Sequence, residues 1–169
     1  MSINIVLYEP EIPQNTGNIM RSCMAFDCKL HLIEPLGFHL DERHLKRAGM
    51  DYVKDVDYHV YKDYSDFIDR NSGAFIYFSR YGQKGFEECV FDRDVEDTYL
   101  IFGKESTGIP KAILKDHLRD TYRIPMVKEA RSLNLSNCVA IAIYECRRQL
   151  GFDGLCDQET IKGADWLLR

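Results

Sequence analysis

A chain of 169 residues in which 45% of the side chains are hydrophobic is long enough for one domain with a full apolar core. Its longest apolar runs, such as Val139–Tyr144, are too short to cross a bilayer, and its first residues lack the basic region of a signal peptide. A net charge of −5 argues against broad electrostatic binding of nucleic acid, although basic side chains on one face could still hold RNA. We therefore expect a cytoplasmic protein with a single domain over residues 1–169 and no membrane segment.

The first half of the chain predicts strands and helices in alternation. Short apolar runs bounded by Pro or Gly are typical of buried strands. Such runs are found at Ile3–Tyr8, Lys29–Ile33, Tyr58–Tyr61 and Gly73–Ser79. Helices are predicted at Asn15–Phe26, Asp41–Ala48 and Tyr64–Arg70. The first of these helices is expected to begin with an Asn or Thr cap after Pro13.

The second half continues the alternation. Strands are predicted at Thr98–Phe102 and Tyr122–Ile124, and helices at Pro110–Leu118, Ser136–Leu150 and Gln158–Leu168. Ser136 or Asn137 is expected to cap the long helix, and the apolar end of the last helix is expected to dock on another part of the protein. Alternation of this kind favours an α/β fold with a mainly parallel sheet and helices on both faces.

None of the six cysteines and five histidines falls in a metal-ligand pattern. No Cys-x-x-Cys pair occurs, and Cys23 and Cys28 stand five residues apart with no second pair at zinc-finger spacing. In a cytosolic protein such cysteines are mostly buried, reduced thiols. We therefore expect no metal site.

Four loops are placed to carry chemistry, because ligands bind at the carboxyl ends of the strands in a parallel sheet. They are rich in Gly, Asn, Ser and charge, and they span Glu9–Asn18, Arg80–Gly85, Gly103–Pro110 and Pro125–Asn137. The G-x-G-x-x-G dinucleotide fingerprint, the P-loop and the G-x-S-x-G elbow are all absent, which disfavours a nucleotide hydrolase and a serine hydrolase. Taken singly, each loop is also explained as a well-made turn or helix cap.

Taken together, three of these segments resemble the motifs of the SpoU branch of the SPOUT methyltransferases. They are Asn15-Thr16-Gly17-Asn18 with Arg21, then Phe102–Pro110, then Ile124-Pro125-Met126 followed by Ser132–Asn137. Over residues 3–152 the chain is similar to the bacterial members that methylate the ribose 2′-oxygen of cytidine or uridine at the wobble position, 34, of tRNA. Lys104 stands where a Pro is often seen, Leu133 stands where Met also occurs, and the tail after Phe152 matches poorly.

This resemblance implies a SPOUT fold with a C-terminal trefoil knot and a homodimer whose active site uses both subunits. It also implies S-adenosyl-L-methionine as cofactor, S-adenosyl-L-homocysteine as product, and the anticodon loop of tRNA as substrate. The implied cofactor-binding residues are Phe78, Gly103, Ile124, Met126, Ser132 and Leu133. The implied residues of the transfer site are Arg21, Glu105 and Asn134, with Asn15, Tyr144 and Arg131 as weaker candidates.

The chemistry of these residues leaves the proton acceptor open. A guanidinium has no lone pair to accept a proton, so we expect Arg21 to bind a phosphate near the 2′-hydroxyl, with that phosphate or a water taking the proton. Glu105 is an alternative base, or it orients Arg21. Basic candidates for RNA contact are Arg43, Lys46, Arg47, Lys128 and Arg131, and aromatic candidates for base stacking are Tyr8, Phe38, Tyr52 and Tyr81.

Two other functions are compatible with the same motifs. The first is 2′-O-methylation of another tRNA position or of ribosomal RNA, which the absence of an added RNA-binding domain disfavours. The second is a protein that binds the cofactor or RNA without catalysis, which the presence of Arg21, Glu105 and Asn134 disfavours.

Overall fold

A computed structural model describes residues 1–40 and 56–169. Seven strands are found in these ranges: β1 (Ser2–Tyr8), β2 (Lys29–Ile33), β3 (Tyr58–Tyr61), β4 (Ala74–Phe78), β5 (Lys84–Gly85), β6 (Asp97–Phe102) and β7 (Thr121–Arg123). The four α-helices described are α1 (Pro13–Ala25), α2 (Tyr64–Arg70), α3 (Lys111–Asp116) and α4 (Leu135–Gln149). Three short 3₁₀ turns lie at Phe86–Glu88, Leu118–Asp120 and Trp166–Leu168.

The strands form one sheet in the order β3-β2-β1-β6-β4-β7-β5, and each of the pairings is parallel. Neighbouring residues of β1 point to opposite faces of this sheet. Ile5 joins a core with Ile19 of α1 and Ile143 of α4, whereas Val6 joins a second core with Phe67 of α2 and a side chain of α3. The predicted α/β fold, with a parallel sheet and helices on both faces, is thereby confirmed. The trefoil knot stays a prediction from the resemblance.

Helix α4 holds α1 at its carboxyl end. The two helices lie side by side, and the buried guanidinium of Arg147 donates to the main-chain oxygens of Phe26 and Asp27, the latter at 2.7 Å. These carbonyls follow the last turn of α1, where main-chain acceptors lack helical partners and the helix dipole favours a cation. The arginine therefore supplies both the hydrogen bonds and the charge that this helix end requires.

A buried polar network, defined here as Asn4, His31, Tyr61, Asn71 and Tyr99, joins four strands on the α2 face of the sheet. The two ring nitrogens of His31 lie 2.8 Å from the Tyr61 hydroxyl and 3.1 Å from Asn4 Oδ1. Asn71 Oδ1 in turn accepts from the Tyr61 and Tyr99 hydroxyls. Burial, reinforced by nearby positive charge, lowers the pKa of His31 to about 4, so its ring is neutral at physiological pH.

The starts of two helices differ from the sequence-based expectation. Helix α1 begins at Pro13 rather than Asn15, and its N-cap residue Ile12 makes no side-chain cap, so the predicted Asn or Thr cap is wrong. Proline suits the first helical position because its φ is already helical and it has no N–H to satisfy. Helix α4 begins one residue earlier than predicted, and its cap is Asn134, whose side chain accepts from the backbone N–H of Ser136.

The predicted helix at Gln158–Leu168 is wrong. Turns and a single 3₁₀ turn occupy this tail, and the expected docking of its end is also wrong, since Trp166, Leu167 and Leu168 are 52%, 84% and 87% exposed. Gly163 has φ +88°, a left-handed conformation that interrupts a helix. Without a surface on which to bury its apolar side chains, a segment of this length gains too little to stay helical.

The remaining differences are small. Strand β7 begins and ends one residue earlier than predicted, the predicted helix at Pro110–Leu118 ends as a 3₁₀ turn, and the two-residue strand β5 was not predicted. The predicted helix at Asp41–Ala48 lies outside the described residues. Among the helices that are described, none has the length and apolar character that crossing a membrane requires.

Candidate active site

A cavity of about 730 Å³ opens at the carboxyl edge of the sheet, beyond the ends of β4, β6 and β7. This volume is within the range of small-molecule and cofactor sites. All six of the residues predicted to bind the cofactor line it, together with Glu105 and Asn134 of the predicted transfer site: Phe78, Gly103, Ile124, Met126, Ser132, Leu133, Glu105 and Asn134. The fold thus brings the segments after β4, β6 and β7, together with Ile12 and Asn15 at the start of α1, to one space.

The apolar wall of the cavity is built by adjacent strand ends. Phe78 and Phe102 are paired in register at the ends of β4 and β6, and their rings stack with centroids 4.6 Å apart and an angle of 7° between the planes. The chain then turns sharply, and the backbone N–H of Gly108 closes the turn by donating to the carbonyl of Lys104 at 2.9 Å. Gly108 has φ +74°, and a Cβ at Gly103 would collide with the backbone of Gly108. Both glycines are therefore needed for this turn.

Glu105 caps helix α1 from the neighbouring loop. Its carboxylate accepts from the backbone N–H groups of Glu11 and Ile12, at 2.8 and 3.3 Å, and from the side-chain amide of Asn15 at 2.9 Å. These donors lie where the helix starts, and its dipole there favours a negative charge. With three neutral donors on its two oxygens, Glu105 is placed to hold α1 rather than to accept a proton from a substrate.

The same contact continues to the third motif. Asn15 is buried in the first turn of α1, and its side-chain oxygen accepts from the amide of Asn134 at 2.9 Å. The oxygen of Asn134 accepts in turn from the backbone N–H and the hydroxyl of Ser136, at 2.9 and 2.6 Å. We call the chain of Glu105, Asn15, Asn134 and Ser136 the carboxyl-edge network. It fixes the three motif loops relative to one another.

Two further contacts join the loop after β1 to the loop after β6. Ser106 donates its hydroxyl and its backbone N–H to the Glu11 carboxylate, both at 2.9 Å, and these bonds lower the pKa of Glu11. Lys104 Nζ lies 2.6 Å from Glu9 Oε2. Although burial alone would raise the pKa of Glu9, hydrogen bonds from Lys104 and Tyr8 lower it. The lysine that departs from the family pattern therefore adds an ion pair across the two loops.

Several predicted site residues lie away from the cavity of their own chain. Arg21 is exposed on α1, Tyr144 is exposed on α4 and packs on Phe152, and neither lines the cavity. Lys128 and Arg131 are exposed in the loop that runs from β7 to α4, and they do not line it either. The remaining basic candidates lie outside the described residues: Arg43, Lys46 and Arg47.

Two arginines at the cavity were missed as site residues. Arg80 is the second residue after β4 and Arg123 ends β7, and both line the cavity. Their position at the carboxyl ends of strands was the available signal. Of the aromatic candidates, Tyr81 lines the cavity, whereas Tyr8 packs edge-on against Tyr64. Phe38 stands in the loop after β2, and Tyr52 lies outside the described residues.

Within residues 1–40 and 56–169, no three His, Cys, Asp or Glu side chains are grouped so that they could hold a metal ion. The six cysteines are free thiols, and Cys156 alone among them is exposed.

Known proteins identify the family of this chain. Residues 2–144 match the SpoU rRNA methylase family. A relative from Saccharophagus degradans, a tRNA (cytidine(34)-2′-O)-methyltransferase, is 45% identical over 153 residues, which are 89% of this chain and 97% of that protein. A solved structure described as giving insight into the 2-OH methylation of C/U34 on tRNA is 43% identical, with a TM-score of 0.80 over 89% of this chain and 97% of that one.

A more distant structure shows the same fold with a ligand. It is an AdoMet-bound rRNA methyltransferase from Sinorhizobium meliloti, which is 25% identical and has a TM-score of 0.75 over 88% of this chain and 57% of that one. The match to the family extends from β1 into α4 and includes every loop that lines the cavity. This chain therefore belongs to the SpoU rRNA methylase family.

Proposed function

We propose that this protein transfers a methyl group from S-adenosylmethionine to the ribose 2′-oxygen of the wobble nucleotide of tRNA, a cytidine or a modified uridine. The observation that carries the proposal is the meeting of the three motif loops at one cavity. The relatives add the target, because proteins 43% and 45% identical over nearly the whole chain are described by 2′-O-methylation at position 34.

The cavity suits S-adenosylmethionine in its chemistry. Phe102, Ile124, Met126 and Leu135 offer apolar surface for an adenine ring and the carbon chain of the methionine part, and the turn at Gly108 leaves open space on the side where a larger residue would place its Cβ. When bound, S-adenosylmethionine supplies a methyl group on a positively charged sulfur. Residues of the chain then have to orient the ribose hydroxyl, exclude water and handle one proton.

The proton does not go to Arg21 or to Glu105. A guanidinium is protonated at neutral pH and has no acceptor, and the Glu105 carboxylate is already bonded to three donors. We infer that Arg21 binds the RNA phosphate beside the reacting ribose, and that this phosphate or a water accepts the proton as the methyl–oxygen bond forms. Glu105 and Asn134 act as positioning residues, because they hold the loops and the start of α1 in place.

A homodimer would explain where Arg21 acts. It does not line the cavity of its own chain, although it lies on the helix whose first turn borders that cavity. The paired helices α1 and α4 also expose Met24, Ile141 and Tyr144, which are 40%, 42% and 54% accessible. Burial of these side chains against a second copy would stabilise a two-fold dimer. We infer that each subunit's Arg21 serves the cavity of the other.

RNA contact would extend from the cavity to the basic side chains around it. Lys128 and Arg131 lie between the two parts of the third motif, and Arg80 and Arg123 line the cavity itself. Phosphate neutralisation by such residues predicts that affinity for tRNA falls as salt rises. A protein that modifies tRNA in this way would work in the cytoplasm.

The proposal is tested by methyl transfer followed by mapping. The protein is incubated with radiolabelled S-adenosylmethionine and, separately, with ribosomal RNA and with tRNA from cells that lack the protein, and the labelled nucleotide is then located. Label on the ribose of nucleotide 34 is expected, and the Arg21→Ala variant serves as the inactive control. Label at another position would support the same methyl transfer but show that a different nucleotide is the target. No label on either RNA, from a protein that binds S-adenosylmethionine, would support the non-catalytic alternative.

A further inference from the structure

One aromatic side chain at the rim of the cavity has no role in the core. Tyr81 lines the cavity and is 74% exposed, more than any other tyrosine or phenylalanine among the described residues. The guanidinium carbon of Arg80 lies 5.6 Å from the centroid of its ring. An arginine at this distance stabilises an aromatic ring through a cation–π contact. The ring is thus offered to whatever enters the cavity, beside a positive charge.

The turn that carries Tyr81 is firmly built. Ser79 donates its backbone N–H to the carbonyl of Tyr122 at 3.0 Å, Gly82 donates to the carbonyl of Ser79 at 3.0 Å, and Tyr81 donates to the Ser79 hydroxyl at 3.2 Å. Gly82 also lies directly against the backbone of β7, where a Cβ would collide with Tyr122. Because its backbone is fixed on both sides, Tyr81 would lose little freedom when a flat ligand stacks on it.

We propose that Tyr81 is a stacking platform for the base of nucleotide 34, the base attached to the methylated ribose. This inference rests on the proposed function. Single-stranded RNA loops expose bases that stack on aromatic side chains, and every base offers a flat π-face. Such a platform orients the nucleotide without reading its identity. It therefore suits an enzyme whose relatives act on both cytidine and uridine at one position.

The cofactor's adenine is the other aromatic ring that could reach the cavity. Phe78, Phe102 and Ile124 line the cavity where β4, β6 and β7 end, so an adenine among them would be enclosed by protein, whereas the ring of Tyr81 is 74% exposed at the rim. Cofactor sites bury most of their ligand, whereas RNA approaches from solvent. The position of Tyr81, and its neighbour Arg80, which could meet a phosphate, favour the RNA base as its partner.

The test compares Tyr81→Ala, Tyr81→Leu and Tyr81→Phe in the full-length protein. Loss of one base–aromatic stack should weaken tRNA binding and raise KM for tRNA by about 5- to 150-fold in the Ala and Leu variants. The Phe variant should stay within about twofold of the original protein, because stacking needs the ring and not the hydroxyl. The dissociation constant of S-adenosylmethionine and kcat at saturating tRNA should change little in all three.

A tRNA with an abasic ribose at position 34 isolates the contact. With this RNA the Ala variant and the original protein should bind equally, since the partner of the ring is gone. Trp166→Ala is the matched control, because Trp166 is also an exposed aromatic, 52% accessible, and does not line the cavity. It should bind tRNA normally.

Three results would overturn the inference. Equal binding by the Ala variant and the original protein would show that no platform exists. A parallel loss of S-adenosylmethionine affinity would assign Tyr81 to the cofactor. An undiminished loss with the abasic RNA would exclude stacking on that base. If the original protein binds tRNA but methylates none, the proposed function fails and the inference falls with it, whereas an active original protein and an unchanged KM for tRNA in Tyr81→Ala overturn the inference alone.

Discussion

The carboxyl-edge network and the buried polar network differ in what they join and in what surrounds them. The carboxyl-edge network joins loops and the start of α1, borders an open cavity and is built around the carboxylate of Glu105. The buried polar network joins strands within the sheet and is built around the neutral ring of His31. The lowered histidine pKa belongs to the second network, although the motif residues belong to the first. A perturbed pKa therefore does not point to the candidate site here, whereas the position of a network relative to the strand ends does.

The largest expected effect is that of replacing Arg21. Arg21→Ala should lower kcat for methyl transfer at least about 100-fold, because a charge that stabilises the reacting phosphate is lost. Arg21→Lys should keep much more activity, since a lysine also binds phosphate. Methyl transfer to tRNA under single-turnover conditions measures both. An equal loss in the two variants would contradict simple charge positioning.

An experiment with mixed subunits tests whether Arg21 of one subunit acts at the cavity of the other. Arg21→Ala is unfolded and refolded together with Met126→Arg, a variant that places a charge in the apolar wall of the cavity and should be inactive alone. If the arginine acts on the other subunit, half of the dimers contain one intact site, and about a quarter of the original activity returns. Sedimentation confirms the dimer in each sample. Activity that stays at the level of the single variants would place Arg21 at its own subunit's cavity.

Two variants of Glu105 distinguish a role as the cap of helix α1 from a role as the general base. Glu105→Ala removes an acceptor from three donors, and we expect about 100-fold less activity from the displaced start of α1. Glu105→Gln keeps one oxygen acceptor and should stay within about tenfold of the original protein. Rates measured from pH 6 to 9 complete the test. If Glu105→Gln is as inactive as Glu105→Ala at every pH, the carboxylate itself is required and Glu105 is the base after all.

The buried network should affect stability in acid and leave activity at neutral pH unchanged. The pKa of His31 falls from 6.5 to about 4 on folding, so between these values the unfolded chain binds more protons. The contribution of the neutral His31 ring to the free energy of unfolding is fully present well above pH 6.5. About 3 kcal/mol of it is lost as the pH falls to 4. The charges facing the ring oppose one another, with His59 and Lys29 against Asp57 and Asp97.

Urea unfolding at pH 7, 6 and 5 measures this loss. The carboxylates also titrate in acid, so the relevant comparison is with His31→Gln, whose stability should depend less steeply on pH. Parallel curves for the two proteins would mean that His31 contributes nothing to the acid sensitivity.

The smallest effect is expected for the ion pair that joins the two loops. Lys104→Met removes the partner of Glu9 but leaves both oxygens of Glu105 occupied. Because the lysine is partly exposed, the melting temperature should fall by about 2 °C or less. Thermal unfolding in low and high salt checks this. A large loss would show that the ion pair, and not the network, holds the loops together.

The sequence predicted best what is local. Buried strands are short apolar runs, and Ile3–Tyr8 and Thr98–Phe102 were placed within one residue of the observed strands. The cap of α1 was missed because it comes from Glu105, more than ninety residues away. The tail helix was wrong because its apolar end finds no surface to cover. The resemblance found the residues that line the cavity, whereas Arg80 and Arg123 carry no motif and needed the strand order to place them.

Helix α1 is anchored at both ends by α4, through Asn134 at its start and Arg147 at its finish. These contacts join residues 119 and 120 positions apart, so they form only after most of the chain has been synthesised. A nascent chain that emerges from the ribosome with α1 complete still lacks both anchors. The order of translation thus separates the appearance of the first motif from the assembly of the site. A product truncated before residue 134 would contain the first two motifs, the sheet strands and the Glu105 cap, but neither of the anchors that α4 provides to the helix of Arg21.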